Sequence, residues 1–432
     1  MRFRASDVAH ATGGTLFGPD VALDGASFDS RSVEAGQLFV AIVAERDGHQ
    51  FVGSALQAGA GACLIQREPG SGTSIVVAST SESLLRLGRW GRERLHGDVV
   101  GITGSVGKTS TKDLARAALS AGRRTAANER SFNNEQGLPV TILGAPDDTE
   151  VLVLEMGMRG FGEIARLCEV ARPNVGVVTR VAAAHTERLG GIEGVARAKS
   201  ELIEALPDNG TAILNADDPY VVPMAALCAG SVVMFGTDQS ANFRIQSLTL
   251  DALARPHFTL ATPWGTTPVT LGVSGAHMAT NAAAALATAV VCGVDLHAAA
   301  DALRVATMSP WRMEIARTPA GALLINDAYN ANPASMRAAI ETLSTMHVDG
   351  RRVALLGMMA ELADPVADHL EIARLLDLHG IELIAIGTDL YGVEPVSDPL
   401  AALGSIASDD ALLVKGSRVA GLERLAALLL GQ

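Results

Sequence analysis

The sequence has few cysteines, and their spacing excludes two classes of protein. Only four of its 432 residues are cysteine, and they lie far apart. They match neither the close pairs of a zinc site nor the framework of a disulfide-rich domain. We therefore expect free thiols in a reducing, cytoplasmic compartment. The four residues are Cys63, Cys168, Cys228 and Cys292.

Dense basic clusters and long apolar runs are also missing. The formal net charge is −13, and no Lys/Arg cluster has the density that non-specific binding of nucleic acid requires. The most apolar stretch, Ala282 to Val294, has 13 residues, whereas a membrane-spanning helix needs about 20. We read it as a buried, alanine-rich helix. No apolar segment follows the basic N-terminal residues, so we expect neither a secretory signal nor membrane insertion.

The chain does have a regular alternation of apolar runs and helix-period segments. The runs "DVVGITG", "VLVLEMG" and "VGVVTRV" are each followed by such a segment, which is typical of parallel strands covered by helices on both faces. The length exceeds what one hydrophobic core normally serves. We predict an α/β protein with a central, doubly wound and mostly parallel sheet, a smaller α/β N-terminal domain and a Rossmann-like C-terminal domain. The predicted bounds are 1–95, 96–308 and 309–432.

The stretch "GITGSVGKTST", Gly101 to Thr111, is the clearest functional signal. An apolar strand precedes it and a helix-compatible segment follows, as a phosphate-binding loop requires. Glycines let backbone N–H groups face phosphates, Lys108 neutralises charge, and the Thr109 hydroxyl can ligate Mg²⁺. Ile102 stands where the strict motif has glycine, so a glycine-rich turn with a chance Lys-Thr pair is the alternative. The predicted ATP-binding residues are Gly104, Ser105, Val106, Gly107, Lys108, Thr109 and Ser110.

Three further residues stand where a phosphate and metal site would need them. Glu155 ends an apolar run, and polar groups at the carboxyl ends of strands meet ligands in open α/β sheets. His185 follows the next run and is a second candidate metal ligand. Lys199 lies on the apolar stripe of a helical segment, where burial lowers the pKa of the amine and makes it nucleophilic. The alternatives are a capping carboxylate, a packing histidine and a lysine whose ammonium reaches solvent.

The strand-end argument also applies to the last third of the chain. Asp327, Gly357 and Lys415 each follow an apolar run. Because the carboxyl ends of parallel strands meet at one edge of a sheet, we expect all three residues to line the same edge.

Together these positions resemble the Mur ligase family, whose members have a T-G-x-x-G-K-[ST] loop without the first glycine. The resemblance covers essentially the whole chain. It implies ATP-driven amide-bond formation between a carboxylate and an amine through an acyl phosphate. It also implies that Thr109, Glu155 and His185 bind Mg²⁺ and that Lys199 is carbamylated, so that Lys108, Glu155, His185 and Lys199 are the implied catalytic residues.

Within that family, several stretches resemble the members that join D-alanyl-D-alanine to UDP-N-acetylmuramoyl-tripeptide in peptidoglycan precursor synthesis. The most specific are "SFNNEQGLPVTIL", "NDAYNANPASM" and "LLVKGSR". The resemblance implies that residues 1–95 bind the UDP-sugar, and we expect a monomer. The implied nucleotide contacts are His277, Asn281, Arg312, Asp327, Tyr329 and Asn330. The implied substrate contacts are Ser30, Arg31, Asp47, His49, Asn133, Asn134, Asn332, Lys415, Ser417 and Arg418.

Three positions depart from the family pattern. Asn326 replaces the first of two acidic residues, Met358 replaces the aspartate of a Gly-Asp-Met sequence, and Met278 replaces an asparagine. These departures leave two alternatives open: a divergent ligase that joins a different carboxylate and amine, and a nucleotide-binding paralogue with impaired catalysis. A P-loop motor or kinase is a weaker alternative, which would turn over ATP without an amine acceptor.

Overall fold

A computed structural model describes residues 1–128, 132–182 and 189–432. Three sheets of five or more strands follow one another along the chain, with helices packed on them. This is the predicted α/β class. No helix in the described ranges combines the length and apolar character needed to cross a membrane.

The N-terminal part contains a small mixed sheet. It has five strands in the order β2-β7-β6-β5-β4, of which β4 to β7 run parallel and β2 is antiparallel to β7. The first and third strands form a separate antiparallel pair. The strands are β1 (Arg2–Arg4), β2 (Thr15–Phe17), β3 (Ala22–Asp24), β4 (Ala26–Ser27), β5 (Leu38–Val40), β6 (Ala62–Ile65) and β7 (Ser74–Val76), and the helices are α1 (Ala5–Thr12), α2 (Val52–Gln57) and α3 (Thr80–Arg94).

The central part is built on a nine-stranded sheet in the order β16-β15-β14-β13-β12-β11-β8-β10-β9. It is parallel from β9 to β14, and the last two strands are antiparallel. The strands are β8 (Asp98–Thr103), β9 (Thr125–Ala127), β10 (Val151–Glu155), β11 (Val175–Val178), β12 (Thr211–Asn215), β13 (Ser231–Gly236), β14 (Phe243–Leu250), β15 (Pro256–Thr262) and β16 (Gly265–Thr270). The helices are α4 (Lys108–Ser120), α5 (Gly137–Gly144), α6 (Glu163–Ala171), α7 (Ile192–Glu204), α8 (Met278–Val291) and α9 (Leu296–Ala302).

Helices cover both faces of this central sheet. Residues of α4, α8 and α9 pack on one face, beside Val100 and Ile102, and residues of α5, α6 and α7 pack on the other, beside Val99 and Leu152. Coverage on both faces explains why the strands read as continuous apolar runs instead of alternating ones. The alanine-rich stretch forms most of α8, a buried helix, as predicted.

The C-terminal part has a five-stranded sheet in the order β17-β18-β21-β19-β20, with only the edge strand β17 antiparallel. Asp327 pairs with Lys415 in register, and the Gly357 N–H donates to the Lys415 carbonyl at 2.9 Å. The predicted common edge is therefore confirmed. The strands are β17 (Glu314–Arg317), β18 (Leu323–Asp327), β19 (Arg352–Leu356), β20 (Glu382–Ala385) and β21 (Ala411–Lys415), and the helices are α10 (Pro333–Thr345), α11 (Pro365–Leu378), α12 (Pro399–Leu403) and α13 (Glu423–Leu429).

Candidate active site

A cavity of about 710 Å³ lies where segments that follow strands of the central and C-terminal sheets converge. The strand-end rule for open α/β sheets anticipates a ligand site at this position. Its lining includes residues from α3 and from the segment that precedes α5. Of the residues predicted from sequence, it is lined by Gly104, Ser105, Lys108, Asn133, Asn134, Glu155, Lys199, Arg312, Tyr329, Asn330, Asn332, Ser417 and Arg418.

The phosphate-binding loop joins β8 to α4, and two of its glycines are sterically required. Gly107 has φ +84°, which favours glycine, and a Cβ there would lie 2.7 Å from Asn281 Oδ1. A Cβ on Gly104 would lie 1.9 Å from Thr179 Oγ1. The Lys108 ammonium folds back and donates to the Gly104 carbonyl at 2.7 Å. Burial lowers the pKa of Lys108. The Glu155 carboxylate raises this pKa, and the Arg312 guanidinium lowers it further. The loop and the N-terminus of α4 therefore form a cationic cradle suited to phosphate.

Arg312 reaches this loop from the C-terminal part of the chain. Its Nη2 donates to Thr109 Oγ1 at 3.1 Å, and its guanidinium lies 4.1 Å from the centre of the Tyr329 ring. Its Nε–H is buried and has no acceptor among the described residues. Such an orphaned donor next to a phosphate loop fits an anionic ligand, because an oxygen of the ligand would satisfy it.

Glu155, at the end of β10, supplies the carboxylate of the site. Its side chain is buried; Oε2 accepts from Thr109 Oγ1 at 2.8 Å and Oε1 accepts from Asn133 Nδ2 at 2.8 Å. A hydroxyl and a carboxylate beside a phosphate loop are the hard oxygen donors that Mg²⁺ takes together with phosphate oxygens. Within the described residues, no three His, Cys, Asp or Glu side chains are grouped to hold a metal. The predicted ligand His185 lies outside them.

Lys199 points inward from α7, as the apolar stripe predicted, and the alternative of an ammonium in solvent is wrong. The residue is 3% exposed. Burial, with a further contribution from Lys108, moves the pKa of its amine well below the usual value. Its Nζ has no hydrogen-bond or ion-pair partner in the described part of the chain. Burial disfavours the protonated form of this amine, and an amine of this kind that lines a cavity is suited to modification by an electrophile such as CO₂.

A buried ion pair anchors the C-terminal side of the cavity. Lys415 Nζ donates to Asp327 Oδ2 at 2.5 Å and to the Asn330 carbonyl at 2.8 Å. The Oδ1 atom of Asp327 accepts the Met313 N–H at 3.1 Å. Neither charged side chain lines the cavity itself; the pair holds the segment that presents Tyr329 and Asn330 to it.

The predicted nucleotide contacts His277 and Asn281 are not among the residues that line the cavity. Asn281 is buried next to Gly107, and its Nδ2 contacts the Met278 sulfur at 3.6 Å. Burial lowers the pKa of His277 to about 4. Asp327 raises this pKa, whereas Lys415 lowers it. The imidazole is therefore neutral near pH 7.

This shifted pKa predicts a pH dependence of stability. The unfolded chain binds a proton on His277 below pH 6.5, whereas the folded protein resists it down to about pH 4, so stability falls as the pH drops through this window. From pH 7 to pH 5 we expect the free energy of unfolding to fall by about 2 kcal/mol more for the wild type than for His277→Gln. Urea unfolding at both pH values measures the two free energies. An equal fall for the wild type and His277→Gln would contradict a lowered pKa of His277.

Residues 102–289 match the Mur ligase middle domain, and residues 311–418 match the Mur ligase glutamate ligase domain. The chain belongs to the Mur ligase family. It is 40% identical over 392 residues to the UDP-N-acetylmuramoyl-tripeptide–D-alanyl-D-alanine ligase of Mycobacterium tuberculosis, covering 84% of this chain and 77% of that protein.

Solved structures agree with the family membership. MurF from Acinetobacter baumannii superposes with a TM-score of 0.85 at 28% identity, covering 100% of this chain and 99% of that one. MurF from Thermotoga maritima in complex with ADP superposes with a TM-score of 0.79 at 26% identity, covering 94% and 97%. Mur ligases are ATP-dependent acid-amino-acid ligases, and this chain is one of them.

Four predicted substrate residues of the N-terminal part do not line the cavity of this Mur ligase. Arg31 pairs with Asp29, and Ser30 precedes it in the same turn. Asp47 accepts the His49 N–H at 3.0 Å, and His49 Nε2 accepts the Gln66 N–H at 2.8 Å. These contacts belong to two separate turns of the N-terminal part. The contacts of the loop residues Val106, Thr109 and Ser110 with a nucleotide also remain predictions.

Other residues that line the cavity were not predicted from the sequence. Met158 and Arg159 come shortly after Glu155, and Glu361 follows the end of β19, so their positions after strands were the available signal. Ser81 lies on a helix of the N-terminal part, and nothing local in its sequence points to a site. The missed lining residues are Ser81, Glu135, Gln136, Gly157, Met158, Arg159, Glu163, Leu167, Ala331, Ala360, Glu361, Leu362 and Val419.

The three departures from the family pattern do not line the 710 Å³ cavity. Asn326 lines a separate cavity of about 280 Å³ with Trp311 and Glu423. Met358 is 37% exposed, and its carbonyl accepts the Ser417 N–H at 2.9 Å, a bond that is independent of the side chain. The Met278 sulfur contacts Asn281 Nδ2 at 3.6 Å.

Proposed function

We propose that this chain joins D-alanyl-D-alanine to UDP-N-acetylmuramoyl-tripeptide with ATP and Mg²⁺, releasing ADP and phosphate, in peptidoglycan precursor synthesis. One observation carries the proposal: a single cavity brings together Lys108 of the phosphate loop, Glu155, Lys199 and the C-terminal residues Asn330 and Arg418. The substrate class comes from the relatives, whose names give these substrates.

In this reaction the carboxylate of the tripeptide attacks the γ-phosphorus of ATP. The bond between the γ-phosphorus and the β,γ-bridging oxygen breaks, and ADP leaves with that oxygen. The amine of the dipeptide then attacks the acyl carbon, phosphate leaves, and the nitrogen loses a proton. Lys108 and Arg312 would neutralise phosphate charge during the first step. Ser417 and Arg418 would hold the incoming dipeptide, since they line the same cavity as Lys108 of the loop.

Thr109 and Glu155 would hold Mg²⁺, with His185 as the further ligand implied by the family. A metal ion held by these residues would supply positive charge that offsets the charge of the phosphates. Lys199 as a carbamate would add a carboxylate-like group at the cavity wall. Carbamylation replaces an amine that cannot readily carry charge at this position with an anion that the neighbouring Lys108 stabilises.

We further propose that residues 1–95 bind the UDP-sugar, 96–308 bind ATP and 309–432 bind the dipeptide and complete the nucleotide site. The protein would work as a monomer in the cytoplasm, where its four free cysteines stay reduced. Size-exclusion chromatography with light scattering tests the monomer, and a dimeric mass would contradict it.

Mass spectrometry of the product tests the proposed reaction. Protein, ATP, Mg²⁺, UDP-N-acetylmuramoyl-tripeptide and D-alanyl-D-alanine should yield the UDP-muramoyl-pentapeptide with equimolar ADP. Omitting the dipeptide should stop net phosphate release. Activity only with another carboxylate or amine would identify a divergent ligase, and ATP binding without dipeptide-dependent phosphate release would identify an impaired paralogue. Either outcome would overturn the proposal.

A further inference from the structure

The connection between the central and C-terminal parts passes along α4, the helix that follows the phosphate loop. We define residues 306–313 as the linker. Its Ser309 donates from both its N–H, at 2.7 Å, and its hydroxyl, at 3.1 Å, to the Asp113 carboxylate. Three residues later, Arg312 donates to Thr109 at 3.1 Å. Thr109 and Asp113 are four residues apart on α4 and therefore lie on one face of the helix.

A buried ammonium supports the Asp113 anchor. Lys112 Nζ lies 3.1 Å from Asp113 Oδ1 and donates to the Asn128 carbonyl at 2.8 Å. The Asn128 side-chain oxygen accepts the Glu155 N–H at 3.0 Å. Lys112 is 2% exposed and Asp113 is 4% exposed, and neither lines the active-site cavity. The pair therefore joins the linker to the strand end that carries the site carboxylate without facing the ligand.

A buried ion pair is not in itself a reason for stability, because desolvation offsets the attraction. The position of the Lys112–Asp113 pair beside the linker indicates a different role. Beyond Ser309 the linker backbone is constrained: Pro310 has a restricted φ, and Trp311 and Met313 have φ of +61° and +51°. Non-glycine residues hold such conformations only where surrounding contacts enforce them. Asp113 fixes one end of this segment, and Asp327 fixes the other by accepting the Met313 N–H.

We propose that Asp113, supported by Lys112, is a positioning residue that sets the guanidinium of Arg312 against the phosphate loop. Helix α4 therefore carries Asp113, which anchors the segment of Arg312, and it also follows directly on the phosphate-binding loop. When the anchor weakens, the strained segment relaxes and Arg312 moves away from Thr109. This inference rests on ATP binding in the proposed function, but it does not depend on which carboxylate and amine are joined.

A double-mutant cycle on nucleotide affinity tests the proposal. Calorimetry would measure the Kd of Mg²⁺-ATP for wild type, Asp113→Asn, Arg312→Ala and the double variant. An asparagine cannot accept both Ser309 donors and also pair with Lys112, so we expect Asp113→Asn to weaken binding about tenfold, in line with the cost of small misplacements of a binding group. In the Arg312→Ala background, the same change should weaken binding less than twofold, since there is no arginine left to position.

Asp410→Asn is the matched control, because Asp410 is equally buried and accepts two backbone N–H groups, of Arg351 and Ala407, in the C-terminal part. It should change thermal stability without changing the Kd. Unchanged affinity in Asp113→Asn, or full tenfold additivity with Arg312→Ala, would show that Asp113 does not act through Arg312. If Asp113→Asn fails to fold, Ser309→Ala carries the test: affinity should fall about threefold and again couple to Arg312, and additivity would overturn the proposal.

The readout separates this inference from the proposed function. Failure to form the pentapeptide product in the ligation assay would overturn the assigned substrates, while the ATP-binding cycle would still decide the role of Asp113. Coupling without ligation would retain the inference and reject the substrate assignment.

Discussion

Replacing Lys199 with alanine is expected to lower the rate of product formation by about 100- to 1,000-fold, the range found when one preorganised electrostatic group is lost from an active site. The truncated side chain removes the amine that would carry the carbamate. Because Lys199 makes no hydrogen bond in the described part of the chain, the fold should lose little stability. Steady-state kinetics and thermal unfolding measure the two effects separately.

Two variants sharpen this experiment. Lys199→Arg keeps a long side chain at the position but cannot form the carbamate, so it should be as inactive as alanine. Arg197→Ala changes an exposed residue on the same helix, which stacks on Phe161 outside the cavity, and should keep the rate within about twofold, as surface changes usually do. A fully active Lys199→Arg enzyme would show that the amine is not modified in function.

Carbamylation can also be observed directly. The chain has only four lysines, so protein equilibrated with ¹³C-bicarbonate should give few candidate carbamate signals by NMR. The signal assigned to Lys199 should disappear in Lys199→Ala and persist in the Arg197→Ala control. A spectrum without that signal at saturating bicarbonate would rule out the modification.

Replacing Lys415 with methionine is expected to cost about 3–5 kcal/mol in the free energy of unfolding, because it leaves the Asp327 carboxylate buried without its counter-charge. The ammonium also donates to the Asn330 carbonyl, so the segment that presents Tyr329 and Asn330 to the cavity loses an anchor. Denaturant unfolding gives the energy. Adding Asp327→Asn to Lys415→Met should recover at least about 1 kcal/mol, since it removes the unpaired charge.

An exposed ion pair in the same part of the chain provides the control. Arg337 and Glu371 lie 2.6 Å apart with side chains 39% and 48% exposed, and Arg337→Met should cost less than about 1 kcal/mol. Equal losses for Lys415→Met and Arg337→Met would mean that Asp327 is protonated or solvated after the change, and that the buried pair contributes no more than a surface one.

Local signals made part of this site predictable. A strand, a glycine loop and a helix follow one another in "VVGITGSVGKTST", so the cradle around Lys108 depends on neighbours in sequence. Glu155 and Lys199 were also predicted, the first from its place after an apolar run and the second from its place on an apolar stripe. In both cases the periodicity of one element determines which side of it is buried.

Other features depend on which elements become neighbours. Asn326 and Asp327 are adjacent in one motif, yet the pleat of β18 sends their side chains to opposite faces, where Asn326 lines the smaller cavity and Asp327 meets Lys415. No pattern near Asp113 indicates a contact with Ser309, because 196 residues separate the two. Ser81 joins the cavity only because α3 packs against the central part of the chain.

The sequence by itself determined the α/β class, the phosphate loop and the inward lysine, since these follow from the period of apolar residues and the chemistry of short segments. Tertiary structure alone decided how Arg312 is anchored, which acidic residue meets Lys415 and which side chains close the cavity. Those outcomes depend on packing between elements distant in sequence, and the hydrophobic pattern that drives such packing does not specify the partner.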